Sequence, residues 1–97
     1  MRKYYTEYVR HCLRFFARHP QPRFKTNADE ANWKACERAV NKLTPVEQEI
    51  IAEIYKAGDT IPDNIYQVSK ARRLDHEYLW NLINTLEQSV AKRRGLL

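Results

Sequence analysis

Residues 65–83, IYQVSKARRLDHEYLWNLI, end one helical repeat and begin another with almost nothing between them. Ile65 and Val68 lead to a basic end at Arg72-Arg73, and Leu74 turns the chain. Leu79, Leu82, Ile83 and Leu86 then repeat at helical spacing behind Asp75, a natural N-cap. A joint this short makes two helices cross closely, and it constrains the chain more than any other feature. It is either a corner that presents its second helix outward or an ordinary corner inside a small bundle.

The rest of the chain supplies three further helices. From Arg2 to about Arg18, Tyr5, Tyr8, Val9, Cys12 and Phe16 recur on one face, widened by Leu13 and Phe15. Lys3, Arg10, Arg14 and Arg18 fall in a row opposite. The prolines of HPQPRFK end that helix. Asn27 can cap the second, with Glu30 as its reciprocal partner, and Trp33, Cys36, Val40 and Leu43 form its seam. Thr44-Pro45-Val46-Glu47 is the strongest start signal, with Thr at N-cap, Pro at N1 and Glu at N3. That third helix presents Val46, Ile50, Ile51 and Ile54 and stops at Gly58, a natural C′ residue. Asp59-Thr60-Ile61-Pro62 opens the fourth, and KRRGLL closes the fifth, cations in its last turn and Gly95 behind them. The expectation is an all-α, five-helix single domain over 1–97. Residues 1–42 form an N-terminal helical pair, a support or a partner surface, and 43–97 the half that holds the tight corner.

Charge is unevenly placed. The net charge is +5, but residues 1–25 carry +6, residues 26–69 carry −4 and residues 70–97 carry +3. A positive footprint is the minimum for a nucleic-acid partner, because neutralising phosphates supplies most non-specific affinity. No segment has the apolar length of a signal peptide or a membrane span. Cys12 and Cys36 sit singly on apolar faces and read as free buried thiols in a reducing cytoplasm, with a disulfide as the lesser alternative. His11, His19, His76 and the cysteines have no metal-ligand spacing. No Gly-rich phosphate loop, nucleophile elbow or paired-carboxylate motif is present, so neither an enzyme nor a cofactor is expected.

A helix-turn-helix needs a small residue where its second helix crosses, an apolar turn residue, a cap and an apolar anchor. Ser69, Leu74, Asp75 and Leu79 occupy those places, with Ile65, Val68, Leu82 and Ile83 completing the inner faces. The run resembles the helix-turn-helix of bacterial regulators. With TPVEQEIIAEIY before it and a basic tail after it, residues 43–94 resemble region four of a sigma factor, the part that reads promoter DNA. The whole chain is similar to the small sigma-region-four-like proteins of Firmicutes and their mobile elements. The resemblance implies a DNA-binding transcription regulator or sigma-like factor, with double-stranded DNA as partner and a recognition helix at about 75–93. It departs from the pattern at Arg73, where Gly is usual and a left-handed turn costs an L side chain ~1 kcal/mol. Arg72 stands at a normally apolar place, and Asp75 and Glu77 bring acids to the start of the recognition helix.

On such a helix the inward positions are Leu79, Leu82 and Ile83, which leaves His76, Glu77, Trp80, Asn81 and Asn84 to meet base edges. Asn can bond adenine bidentately, and Glu can accept from cytosine. Lys70, Arg72 and Arg73, with Lys92, Arg93 and Arg94 at the far end, would hold phosphates. Each has a plainer reading: Trp80 as edge of the core, the asparagines as solvated, the terminal cations as complements of the helix dipole. The Lys3, Arg10, Arg14 and Arg18 row is either solvated or a second surface for phosphates or an acidic partner. The alternative function is a protein-interaction module that keeps the helix-turn-helix shape. It would bind a partner such as RNA polymerase, or a second copy as a homodimer, through Tyr4, Tyr5, Tyr8, Phe15 and Phe16.

Overall fold

Four helix starts among the described residues, those of the second to fifth helices, are written by three hydroxyls and a carboxylate. In the computed structural model, which describes residues 3–20 and 23–97, the described residues form five helices: α1 (Thr6–Arg18), α2 (Asn27–Val40), α3 (Pro45–Lys56), α4 (Ile61–Arg72) and α5 (His76–Arg93). Thr44 and Glu47 exchange both bonds of a capping box at 3.0 and 3.2 Å. Thr60 accepts from the Asp63 N–H at 3.2 Å, and Asp75 from the Glu77 N–H at 2.8 Å. At α2 the cap is Thr26 and not Asn27. Thr26 is extended (φ −141°, ψ 162°) and takes the Asp29 N–H, whereas Asn27 is already helical. The expected start of α1 at Arg2 lies outside the described residues, as does Pro22. From Lys3 to Tyr5 the chain approaches as a turn, and the helix begins at Thr6.

The end of α3 departs most from expectation. Gly58 is not left-handed; Arg73 and Gly95 are the positive-φ residues among those described. Ala57 is extended instead, leaving several carbonyls without the bonds that a left-handed cap would make. Side chains from elsewhere satisfy them. Arg14 donates to the carbonyls of Ala57 and Asp59, each at 2.6 Å, and Arg18 to those of Lys56 and Ala57 at 3.2 Å. The buried Asn64 of α4 donates to Ile54 at 2.9 Å and to Ala57 and Asp59 at 3.2 Å. Guanidinium groups at a helix C-terminus also complement its dipole.

Arg10, from the same row, reaches inward. Its Nε donates to Glu87 Oε2 at 2.8 Å, and the Tyr55 hydroxyl donates to the same oxygen at 2.8 Å. Arg10, Arg14 and Arg18 are therefore committed to bonds within the fold, while Lys3, the fourth of the row, stays exposed. The three arginines fasten α1 to α3 and α5.

The core is continuous through all five helices. Val9 and Leu13 of α1, Cys36 of α2, Ile50, Ile54 and Tyr55 of α3, Ile65 of α4, and Leu79, Ile83, Leu86 and Val90 of α5 are all at or near full burial. Burying one such aliphatic side chain stabilises by about 1.5–3 kcal/mol. Val46, placed on the inner face by its spacing, is instead 59% exposed at the first turn of α3. Because α1 packs on α2, α3 and α5, the N-terminal pair belongs to the same globule as the tight corner. The radius of gyration, 12.9 Å, matches the ~13 Å of a compact chain of this length. Cys12 and Cys36 are free and buried, and burial pushes both thiols above their ordinary value. Among the described residues no helix is long and apolar enough to cross a membrane.

The Tyr55 phenol is held well above its ordinary value, first by burial and then by the Glu87 carboxylate it faces. Unfolded chains therefore release this proton near the normal phenol value of about 10, while folded chains keep it. Its contribution is full below that pH and drains away as pH rises towards the folded value. Tyr55→Phe should cost about 2 kcal/mol at neutral pH by removing a bond to a charged acceptor, and should make the alkaline decline shallower. Urea melts from pH 7 to 11 measure both. Unchanged stability and an unchanged alkaline limb would contradict the assignment.

Candidate nucleic-acid interface

The corner between α4 and α5 closes through three linked bonds. The Ser69 carbonyl accepts from the Arg73 N–H and, at 3.0 Å, from the Leu74 N–H. The Ser69 hydroxyl donates to the Leu74 carbonyl at 2.7 Å. This is the six-to-one closure of a Schellman ending, with Arg73 in the left-handed position (φ 55°, ψ 46°) and Leu74 half-buried against the core. Ser69 thus does more than stay small: it bonds both sides of the turn. The chain then enters α5 through the Asp75 cap, with Leu79 fully buried as anchor.

That anchoring sets which face of α5 is outward. Leu79, Leu82, Ile83, Leu86 and Val90 are buried, as is Glu87. Glu77, Asn81, Asn84 and Gln88, at spacings of four, three and four, are exposed, with Thr85 beside them. The exposed strip is short of charge and rich in side-chain amides, groups that can both donate and accept. His76 is also exposed, its ring edge-on to Trp80 at 6.3 Å between centroids. Trp80 is half-buried against the core, with the Arg10 guanidinium 6.0 Å from its ring centre, so it borders the strip and does not project from it. Gln88 and Thr85 were legible as continuations of the Glu77, Asn81, Asn84 spacing.

The six cations divide. Arg72 reaches back to α3, its Nε 2.6 Å from Glu53 Oε2, and its guanidinium lies 3.8 Å from Glu49. The bond to Glu53 raises the Arg72 pKa further, and the charge is shared with two acids of α3. Those acids are a docking face for Arg72 more than a plain solvated surface. Arg94 is half-buried and donates to Asn32 Oδ1 of α2 at 2.5 Å. Lys70 is exposed, its ammonium 4.8 Å from the exposed Tyr66 ring. Arg73, Lys92 and Arg93 are exposed. Lys70 and Arg73 therefore bring outward charge near the turn, and Lys92 and Arg93 at the far end of α5.

Most of the aromatic surplus of α1 is used inside the fold. Tyr5 is buried, and Phe16 packs on Trp33 at 5.2 Å between ring centres. Phe15 stacks at a tilt on His19 at 4.6 Å. The Tyr8 hydroxyl accepts from Asn32 at 2.8 Å, and that of Tyr4 donates to the Leu96 carbonyl. Among the described residues no three His, Cys, Asp or Glu side chains gather as metal ligands would. The chain matches no family model, no curated protein and no solved structure.

Arg73 holds a conformation that glycine adopts without the side-chain penalty. Arg73→Gly should therefore raise stability by ~1 kcal/mol, less the glycine's larger entropy in the unfolded chain. Thermal or urea unfolding measures it. A clear loss of stability would mean that the arginine side chain does structural work at this turn.

Proposed function

We propose that the chain is a double-stranded DNA-binding helix-turn-helix protein of the sigma-region-four type, acting in cytoplasmic transcription control, with α5 as recognition helix. The observation that carries this reading is the outward strip of α5. It begins behind a tight, serine-bonded turn, offers Asn81 and Asn84 beside Glu77, and is flanked by the outward cations Lys70 and Arg73. An α-helix fits the major groove, and amide side chains there discriminate adenine through paired bonds. Lys70 and Arg73 near the turn, with Lys92 and Arg93 at the far end, would meet phosphates and set register. Arg72 and Arg94 act first as internal fasteners, so their share of phosphate contact is smaller.

The protein-partner reading drew on surplus aromatics in α1, and most of these are engaged in packing or hydrogen bonds. This favours the duplex over RNA polymerase or a second copy as the principal partner.

Binding to a mixed-sequence duplex should weaken steeply between about 50 and 200 mM salt, with a log–log slope reporting several released ions. Arg73→Ala should flatten that slope by about one, and Arg72→Ala by less, because its charge is already met by Glu53 and Glu49. Asn81→Ala should change sequence preference more than overall strength. Fluorescence anisotropy against a small panel of duplexes measures all three. Absence of binding at the lowest salt would overturn the reading.

A further inference from the structure

Beside the outward strip of α5 lies an open groove of about 440 Å³, formed where the amino-terminal turn of α1 passes the flank of α5. Trp80, Asn84 and Gln88 line its α5 side; Lys3 and Thr6 line the α1 side. Glu87 also borders it, and that carboxylate is already bonded to Arg10 and Tyr55. Pro62, in the first turn of α4, lies at the groove as well.

An α-helix with its side chains is ~10–12 Å across, and the major groove is ~12 Å wide. A helix seated there has a sugar-phosphate strand close along each flank. Whatever lines the flank of α5 must therefore accommodate such a strand. Here the flank offers an exposed ammonium and two exposed side-chain amides, groups that can donate to phosphate oxygens, beside the half-buried Trp80. An open trough suits a strand passing through better than a small molecule held by enclosure.

We propose that one strand of the bound duplex runs through this groove, with Lys3 as its cationic wall and Asn84 and Gln88 as backbone donors. The inference rests on the DNA-binding reading and extends it in two ways. It makes the segment that leads into α1 part of the interface, and it moves Asn84 from base reading to strand positioning.

The test uses the full chain and a mixed-sequence duplex, with salt titrations of the unaltered protein and of Lys3→Ala, Gln88→Ala and Lys34→Ala. Lys34 lies on α2, does not line the groove, and controls for the loss of one positive charge. Lys3→Ala should lower the log–log slope by about 0.9, the value for one lost phosphate contact. Gln88→Ala should weaken binding equally across sequences without changing the slope, and Lys34→Ala should leave the slope as it is. If the unaltered protein binds and Lys3→Ala behaves like Lys34→Ala, the strand does not use the groove and this inference fails while the DNA reading stands. Tighter binding of a single strand than of the duplex, with the same dependence on Lys3, would also overturn it. No binding by the unaltered protein would remove the reading beneath it.

Discussion

Glu87 is a carboxylate with 4% of its surface exposed, on the inner side of the longest helix. An ionised carboxylate at such a site is costly unless a counter-charge and hydrogen bonds meet it. Both arrive at one oxygen: Arg10 from α1 and the fully buried Tyr55 from α3, each at 2.8 Å. One acid thus ties three helices that are far apart in sequence. Arg14 and Arg18 extend the same helix onto the carbonyl end of α3, where Asn64 of α4 joins them. Such directional bonds fix α1 along α3 and α5 in a way that apolar packing, being non-directional, does not. The rotation of α5 follows from this, and with it the identity of the side chains left outside.

Local signals explain how much of the fold could be read in advance. Thr44, Thr60 and Asp75 cap helices within three residues of themselves, so their role is visible in a short window. Ser69 and Leu74 belong to the same class, and the left-handed strain at Arg73 was legible because glycine is usual there. Partners distant in sequence were not legible. A helical wheel places Arg10, Arg14 and Arg18 opposite the apolar face, and nothing local says that carbonyls more than thirty residues away need donors. Nothing in a short window marks Glu87 as the buried partner of Arg10 and Tyr55, or Asn64 as a donor to the end of α3, for the same reason. Asn27 lost the capping place to its neighbour Thr26 by a single residue, a difference that backbone angle decides and composition does not.

The candidate interface carries a tension between shape and charge. Asp75 and Glu77 bring acids to the start of α5, and α3 draws Arg72 away from the outer surface through Glu53. Asp75 is committed to the helix cap, and its bond to the Glu77 N–H meets one of the free donors at that helix start. In the proposed complex, attraction for the duplex would come from the few outward cations around the amide strip. Selectivity would then rest on Asn81 and Glu77, and strength on Lys70, Arg73, Lys92 and Arg93, with Lys3 beside them. With so few cations meeting phosphates, each would carry a large share of the salt-dependent binding.

The proposed function depends on the outer edge of α5 meeting a duplex. The most direct measurement is an amide chemical-shift titration of ¹⁵N-labelled protein with a short mixed-sequence DNA duplex at low salt. The account predicts the largest changes from Lys70 to Arg73 and at Glu77, Asn81 and Asn84, with little change in the interior of α3. Changes confined to α2, or none at saturating duplex, would contradict it.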